Sequence, residues 1–200
     1  MTSEVDEKDL AERVKLIESM MAEGRRGTES WGWTFVLWGV AYFVATAWAT
    51  WGKSSVAWPV TMVAAGAITG VIGSRMSHGH PETTLGRAIG AVWSAMGGSL
   101  FVVLISLGFS GRYDEHIFVA IIGAMLAVAN GASAIMLKWK MQFACAVVWL
   151  ASAVIASFGS ENATSIAFLG ATFICQIVFG IYAMICDARQ RRQQSGVVNA

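Results

Sequence analysis

Ionised side chains are scarce in this sequence, and where they are missing matters more than their number. Only 14% of the 200 residues are charged, against about 25% in a soluble domain, while 56% are hydrophobic and the mean hydropathy is +0.57. The charges collect in two tails and a few short gaps. Between them lie apolar runs of roughly 20 residues, the length that spans hydrocarbon at about 1.5 Å rise per residue. A soluble core could not hide so many, so the expected fold class is all-α: a polytopic membrane protein, with six transmembrane helices and the lipid bilayer as its surroundings.

No Asp, Glu, Lys, Arg or His lies near the middle of any run. Such residues mark ion paths, proton relays and substrate sites in membranes, so their absence argues against transport driven by a buried carboxylate. It argues equally against intramembrane proteolysis, which needs a buried Asp pair, a membrane His serving a serine, or His-Glu-x-x-His. Haem would need axial ligands inside the bilayer, whereas His78, His80 and His116 fall at loops or a helix end. The chain is therefore read as no enzyme, with no cofactor. Its net charge of +1 offers nucleic acid no bulk attraction. Cys145, Cys175 and Cys186 form neither a disulfide framework nor a Cys-x-x-Cys site and read as small helix-core residues; Cys186, beside the charged tail, is a minor candidate for acylation. A cleavable signal peptide is not expected, because the N-terminus is acidic and the first apolar run begins only after residue 30.

What is present divides into three parts: residues 1–27 as a cytoplasmic amphipathic helix, 28–186 as the transmembrane domain, and 187–200 as a basic, disordered cytoplasmic tail. In the first, a helix is expected over 3–23, with Ser3 as N-cap, Glu4 and Asp6 in the first turn and Gly24 as the stop. Glu4/Lys8 and Asp9/Arg13 sit four apart and support it. Leu10, Val14, Ile17 and Met21 follow a 4-3-4 spacing, which places them on one stripe. The polar positions through Glu23 hold seven acids (Glu4, Asp6, Glu7, Asp9, Glu12, Glu18, Glu23) against three bases (Lys8, Arg13, Lys15). Helices that lie on anionic lipid are basic on that face, so this stripe is expected to pack on protein: its own bundle, a sister subunit or another partner.

The spans are placed at about 31–51, 56–74, 88–108, 116–137, 141–159 and 165–186, with Pro59 in a first turn, where its missing N–H costs little. Lys138 and Lys140 flanking Trp139 mark a tight reversal between the fourth and fifth. With both termini inside, Lys8, Arg13, Lys15, Arg25, Arg26, Arg75, Arg87, Lys138, Lys140, Arg189, Arg191 and Arg192 are cytoplasmic, and only Lys53 and Arg112 lie outside. Twelve against two obeys the positive-inside rule at every inner loop. Trp31, Trp33, Trp48, Trp51, Trp58 and Trp139 fit aromatic belts; Trp38, Trp93 and Trp149 recur at similar depths in odd-numbered spans and raise the alternative of three repeated hairpins.

Lipid tails are as apolar as leucine, so spans associate largely through close approach at small residues. Such spacing appears at Gly66, Gly70 and Ser74; at Gly90, Ser94 and Gly98; at Gly123, Ala127 and Gly131; and at Ser152 and Ala156, implying a compact bundle. The deepest strongly polar side chains are Asn130 and Gln176. Each reads either as an interhelical hydrogen bond or as lining for a polar solute. His78-Gly-His80-Pro-Glu82 could hold a transition metal but lacks a clear third strong ligand. Arg112-Tyr113-Asp114-Glu115-His116 reads as a solvated turn or a docking surface, and Asn162-Ala-Thr164 is a sequon in a very short outer loop.

Leu16-Ile-Glu-Ser-Met-Met21, Glu23-Gly-Arg-Arg26 and Phe35-Val-Leu-Trp-Gly39 resemble the first 45 or so residues of uncharacterised bacterial inner-membrane proteins of about this size. That resemblance implies a bacterial plasma-membrane location and no activity. The hairpin-like layout, and only the layout, is similar to that of HdeD-type six-helix acid-resistance proteins. The leading functional expectation is a non-enzymatic scaffold or regulatory partner. It would act through Leu10, Val14, Ile17 and Met21, as a homo-oligomer or with a membrane or cytoplasmic protein. The alternatives are a passive facilitator for a small neutral solute along Asn130 and Gln176, and an accessory subunit of a larger membrane complex.

Overall fold

The computed structural model describes residues 2–54, 56–77, 84–110 and 114–198, and all of its regular structure is helical. Helix α1 (Thr2–Ser30) precedes α2 (Gly32–Trp51), α3 (Ala57–Ser77), α4 (Thr84–Ser110), α5 (Glu115–Leu137) and α6 (Lys140–Phe158). The last rod joins α7 (Glu161–Thr172), a π-helical segment (Phe173–Val178) and α8 (Phe179–Val198) without a break. Six of these stretches are long and apolar enough to cross a membrane, at the positions the hydrophobic runs lead one to expect.

The ends of α5 show how local chemistry sets the boundaries. Asp114 caps its start, its Oδ1 accepting from the backbone N–H of His116 at 2.8 Å and of Ile117 at 3.1 Å. Lys138 ends it in the left-handed region, at φ 48°. Its N–H and that of Trp139 turn back onto the carbonyls of Ile135 and Ala134. The reversal into α6 is as tight as the paired lysines imply.

Two expectations at the termini are corrected. Gly24 does not stop α1, which continues to Ser30 across the boundary drawn after residue 27. A Cβ on Gly24 would lie 2.8 Å from Leu85 Cδ2 and 3.0 Å from Leu137 Cδ2. This glycine is thus a packing notch, where α1 closes on α4 and α5. The segment after residue 186 is helical to Val198. Its run of Arg and Gln favours helix, Asp187 pairs with Arg191 one turn on, and Gln190 is tied to α1.

Packing is uneven. Helices α2, α5, α6, α7, the π segment and α8 form the core. Gly123 of α5 lies against the Trp149 carbonyl and Ala153 of α6, and Gly32 of α2 against the Gly180 carbonyl of α8. By contrast, backbone contacts of α3 among the described residues reach α2 alone, and those of α4 reach only α5 and α1. Gly66 and Gly70 on α3, and Gly90 and Gly98 on α4, face open space. Compactness therefore holds for the core and not for these two helices. Trp38, Trp93 and Trp149 have dissimilar surroundings: Trp38 is partly buried against Tyr42, Trp93 donates to Ser133 Oγ at 3.0 Å, and Trp149 is fully buried.

Candidate functional site

The stripe on α1 splits in two. Leu10 is 64% exposed, Val14 48% and Ile17 55%, while Met21 is half-buried. Leu16 and Met20 widen the open apolar surface. No large exposed hydrophobics occur elsewhere on a helix outside the six membrane-length stretches among the described residues.

Just beyond Met21 the helix is fastened down. Arg25 Nη2 donates to the Leu137 carbonyl at 3.0 Å and the Lys138 carbonyl at 3.4 Å, placing a cation on the unsatisfied C-terminal carbonyls of α5. One turn on, Glu29 is buried and accepts from Gln190 Nε2 of α8 at 2.7 Å. Burial pushes the Glu29 carboxyl above its ordinary range; Arg25 and the Gln190 hydrogen bond oppose that, and Asp187 reinforces it. Arg25, Glu29 and Gln190 thus form a clasp joining α1, α5 and α8. Counting bases places Arg25 on one face of the membrane but does not reveal its partners. The available signal was Glu29, an acid three residues before the first span, where burial demands a partner.

The second set of residues lies inside the core. Asn130 is 1% exposed and Gln176 3%. Asn130 Nδ2 donates to the Leu126 carbonyl of its own helix at 2.8 Å, so the bond is local and not interhelical. The two residues lie on different helices at one depth. Gly131 faces Ala146 of α6; Cys175 Sγ donates to the Cys145 carbonyl at 3.6 Å; and Gly39 of α2 lies against Gln176 Cβ. Gln142, Ser152 and the Trp149 indole on α6 and Thr172 on α7 are also buried, spread along the helices, with Gln142 and Ser152 about 15 Å apart on α6.

Seven buried side-chain atoms here have no hydrogen-bond partner within the protein: Asn130 Oδ1, Gln142 Nε2 and Oε1, Trp149 Nε1, Ser152 Oγ, Thr172 Oγ1 and Gln176 Oε1. Rings stand on either side of the layer. Tyr42, Trp58, Phe118 and Phe168 group toward the α6–α7 turn, and Phe35, Trp93, Trp139 and Phe179 toward the termini.

Near the α6–α7 turn His116 Nδ1 lies 2.9 Å from the Ala156 carbonyl and 3.0 Å from Thr164 Oγ1. A carbonyl only accepts, so Nδ1 carries the hydrogen. Ser165 donates to Glu115 beside it. Asp114, Glu115 and His116 are therefore engaged in capping α5 and tying it to α6 and α7, and Thr164 of the sequon is buried. His78, His80, Glu82, Arg112 and Tyr113 lie outside the described residues. No protein-family model, no curated protein and no solved structure matches the chain.

Proposed function

We propose that this chain is a non-enzymatic membrane scaffold whose N-terminal helix, on the cytoplasmic side, binds a protein partner. One observation carries the reading: α1 is a single unbroken helix, held at its C-terminal end by Gly24, Arg25 and Glu29, and it presents Leu10, Val14 and Ile17 uncovered. A clasped base and a free apolar stripe make a lever of fixed direction, suited to helix-in-groove recognition. Bundle and bilayer are the poorer occupants. The chain's own core leaves the stripe open, and an excess of acids through Glu23 is repelled by anionic lipid. The same excess favours a partner whose apolar groove is rimmed by Lys and Arg over a parallel second copy, which would bring like charges together.

A photo-crosslinking residue at Val14 or Ile17 of the full chain in its native membrane tests this. It should join one other protein, with loss of the adduct in salt or on adding Leu10→Asp, while the same probe at Lys15, which faces away from Leu10, Val14, Leu16 and Ile17 around the helix, should not. Adducts only to a second copy would convert the reading to self-assembly, and adducts only to lipid would remove it.

A further inference from the structure

The three cysteines of the chain are not alike. Cys186 is half-buried on α8, whereas Cys145 and Cys175 are buried, at 5% and 1% exposure. These two stand 30 positions apart in the chain and meet in space: Cys175 Sγ donates to the Cys145 carbonyl at 3.6 Å. Their side chains are also hydrogen-bonded to each other. One thiol comes from α6 and the other from the π segment packed on it. The wider π-helical turn over Phe173–Val178 thus carries half of the pair, and such turns recur at functional sites.

The chemistry open to this pair is narrow. Thiolate sulfur is a soft ligand and selects soft metals. No group of three or more His, Cys, Asp and Glu occurs among the described residues, so the four-ligand shell of structural zinc does not form there, and a metal would be held by two sulfurs. Among the described residues, no Asp, Glu, Lys or Arg on α5, α6, α7 or the π segment is buried. A complex in these surroundings has to be neutral, because an uncompensated charge is costly away from water. Two thiolates around a monovalent ion leave one negative charge; around a divalent ion they leave none. Mercuric ion is soft, divalent and binds two sulfurs in a line.

We propose that Cys145 and Cys175 form a two-coordinate site for a soft divalent cation, mercuric ion. Each thiol loses its proton as a mercury–sulfur bond forms, so Hg(II) and two R–SH give neutral Hg(SR)2 and two H+, with no change of oxidation state. The site is independent of any partner bound by α1.

The full chain in lipid nanodiscs, reduced beforehand and carrying Cys186→Ala, is titrated with mercuric chloride. Both remaining thiols should disappear at one equivalent of Hg(II). Loss only at two equivalents, or no loss, overturns the proposal, and that reading needs no change at either ligand. The loaded protein is then challenged with a competing monothiol. Two bonds held by one fold act at high effective concentration, so stripping should need at least about 100-fold more monothiol than for Cys145→Ser or Cys175→Ser. Equal retention in a folded single variant overturns the assignment to this pair. Silver(I), which would leave a negative charge in the core, should be stripped more easily than Hg(II), and equal retention overturns the choice of a divalent ion.

Discussion

Helices α4 and α5 have the same mean hydropathy over their membrane-length stretches, yet 12% of the one and 56% of the other is buried within the chain. Hydropathy measures transfer from water to hydrocarbon, and both helices satisfy it equally. What separates them is where the small residues meet a neighbour. On α5, Gly123 faces the α6 backbone across a close approach and Gly131 is in ordinary contact with Ala146, while on α4 Gly90, Gly97 and Gly98 meet nothing. Identical spacing patterns therefore have different consequences. In lipid a small-residue stripe stabilises association only when a second surface of matching shape lies against it.

The largest test of this contrast is a methyl group. A Cβ on Gly32 would lie 2.9 Å from the Gly180 carbonyl oxygen and the Met184 nitrogen, backbone atoms that cannot step aside. Gly32→Ala is expected to lower stability by about 1–3 kcal/mol, as overpacking does, measured by thermal unfolding in nanodiscs. Gly66→Ala, which meets open space, should lose nothing and gain up to about 1 kcal/mol from helix propensity. Equal losses at the two sites would break the contrast and show α3 covered by another molecule.

A smaller effect is expected at the α5–α6 joint. The core holds Lys138 in the left-handed region at φ 48°, a conformation that costs a non-glycine residue roughly 1–2 kcal/mol. Lys138→Gly should raise the unfolding midpoint by an amount corresponding to about 1 kcal/mol. A fall would show that the lysine side chain contributes more than its backbone strain costs.

The smallest concerns the clasp on α1. The Glu29 carboxyl is raised in the fold from an ordinary value of 4.5, so the folded state binds protons more tightly than the unfolded one. Its contribution to stability is fully present below about that ordinary value and is lost as pH rises through the raised one. Hydrogen exchange of residues 24–30 should therefore slow as pH falls from neutral toward that ordinary value, after correction for intrinsic rates, and Glu29→Gln should flatten the dependence. A clasp that instead loosens on acidification would mean that the Arg25 attraction outweighs desolvation.

Much of the chain was legible beforehand, and for identifiable reasons. The six apolar stretches follow from composition, because an uncharged run of that length has few other uses, and Pro59 and the Lys138–Trp139–Lys140 reversal fell where local sterics and charge put them. Gly24 misled because glycine terminates helices and also admits close neighbours, and sequence does not distinguish the two uses; Leu85 and Leu137 decide it, the latter 113 positions away. For the candidate sites, the spacing of Leu10, Val14, Ile17 and Met21 put them on one stripe, but their exposure could not be read from it. Asn130 and Gln176 stood out as polar residues in apolar helices. Gln142, at the very start of the fifth apolar run, did not stand out in the same way, and only the packing of α6 shows it fully buried.

Period, length and charge placement act within about twenty residues, so the sequence alone determined that this chain folds into helices, where its six apolar runs lie, and that these are long and apolar enough for a membrane. Which helices form the core, that Arg25, Glu29 and Gln190 close one clasp, and that Asn130, Gln142 and Gln176 are all buried were decided only in the tertiary structure. Those contacts join residues far apart in the chain, and their energies depend on distances of closest approach that no local pattern encodes.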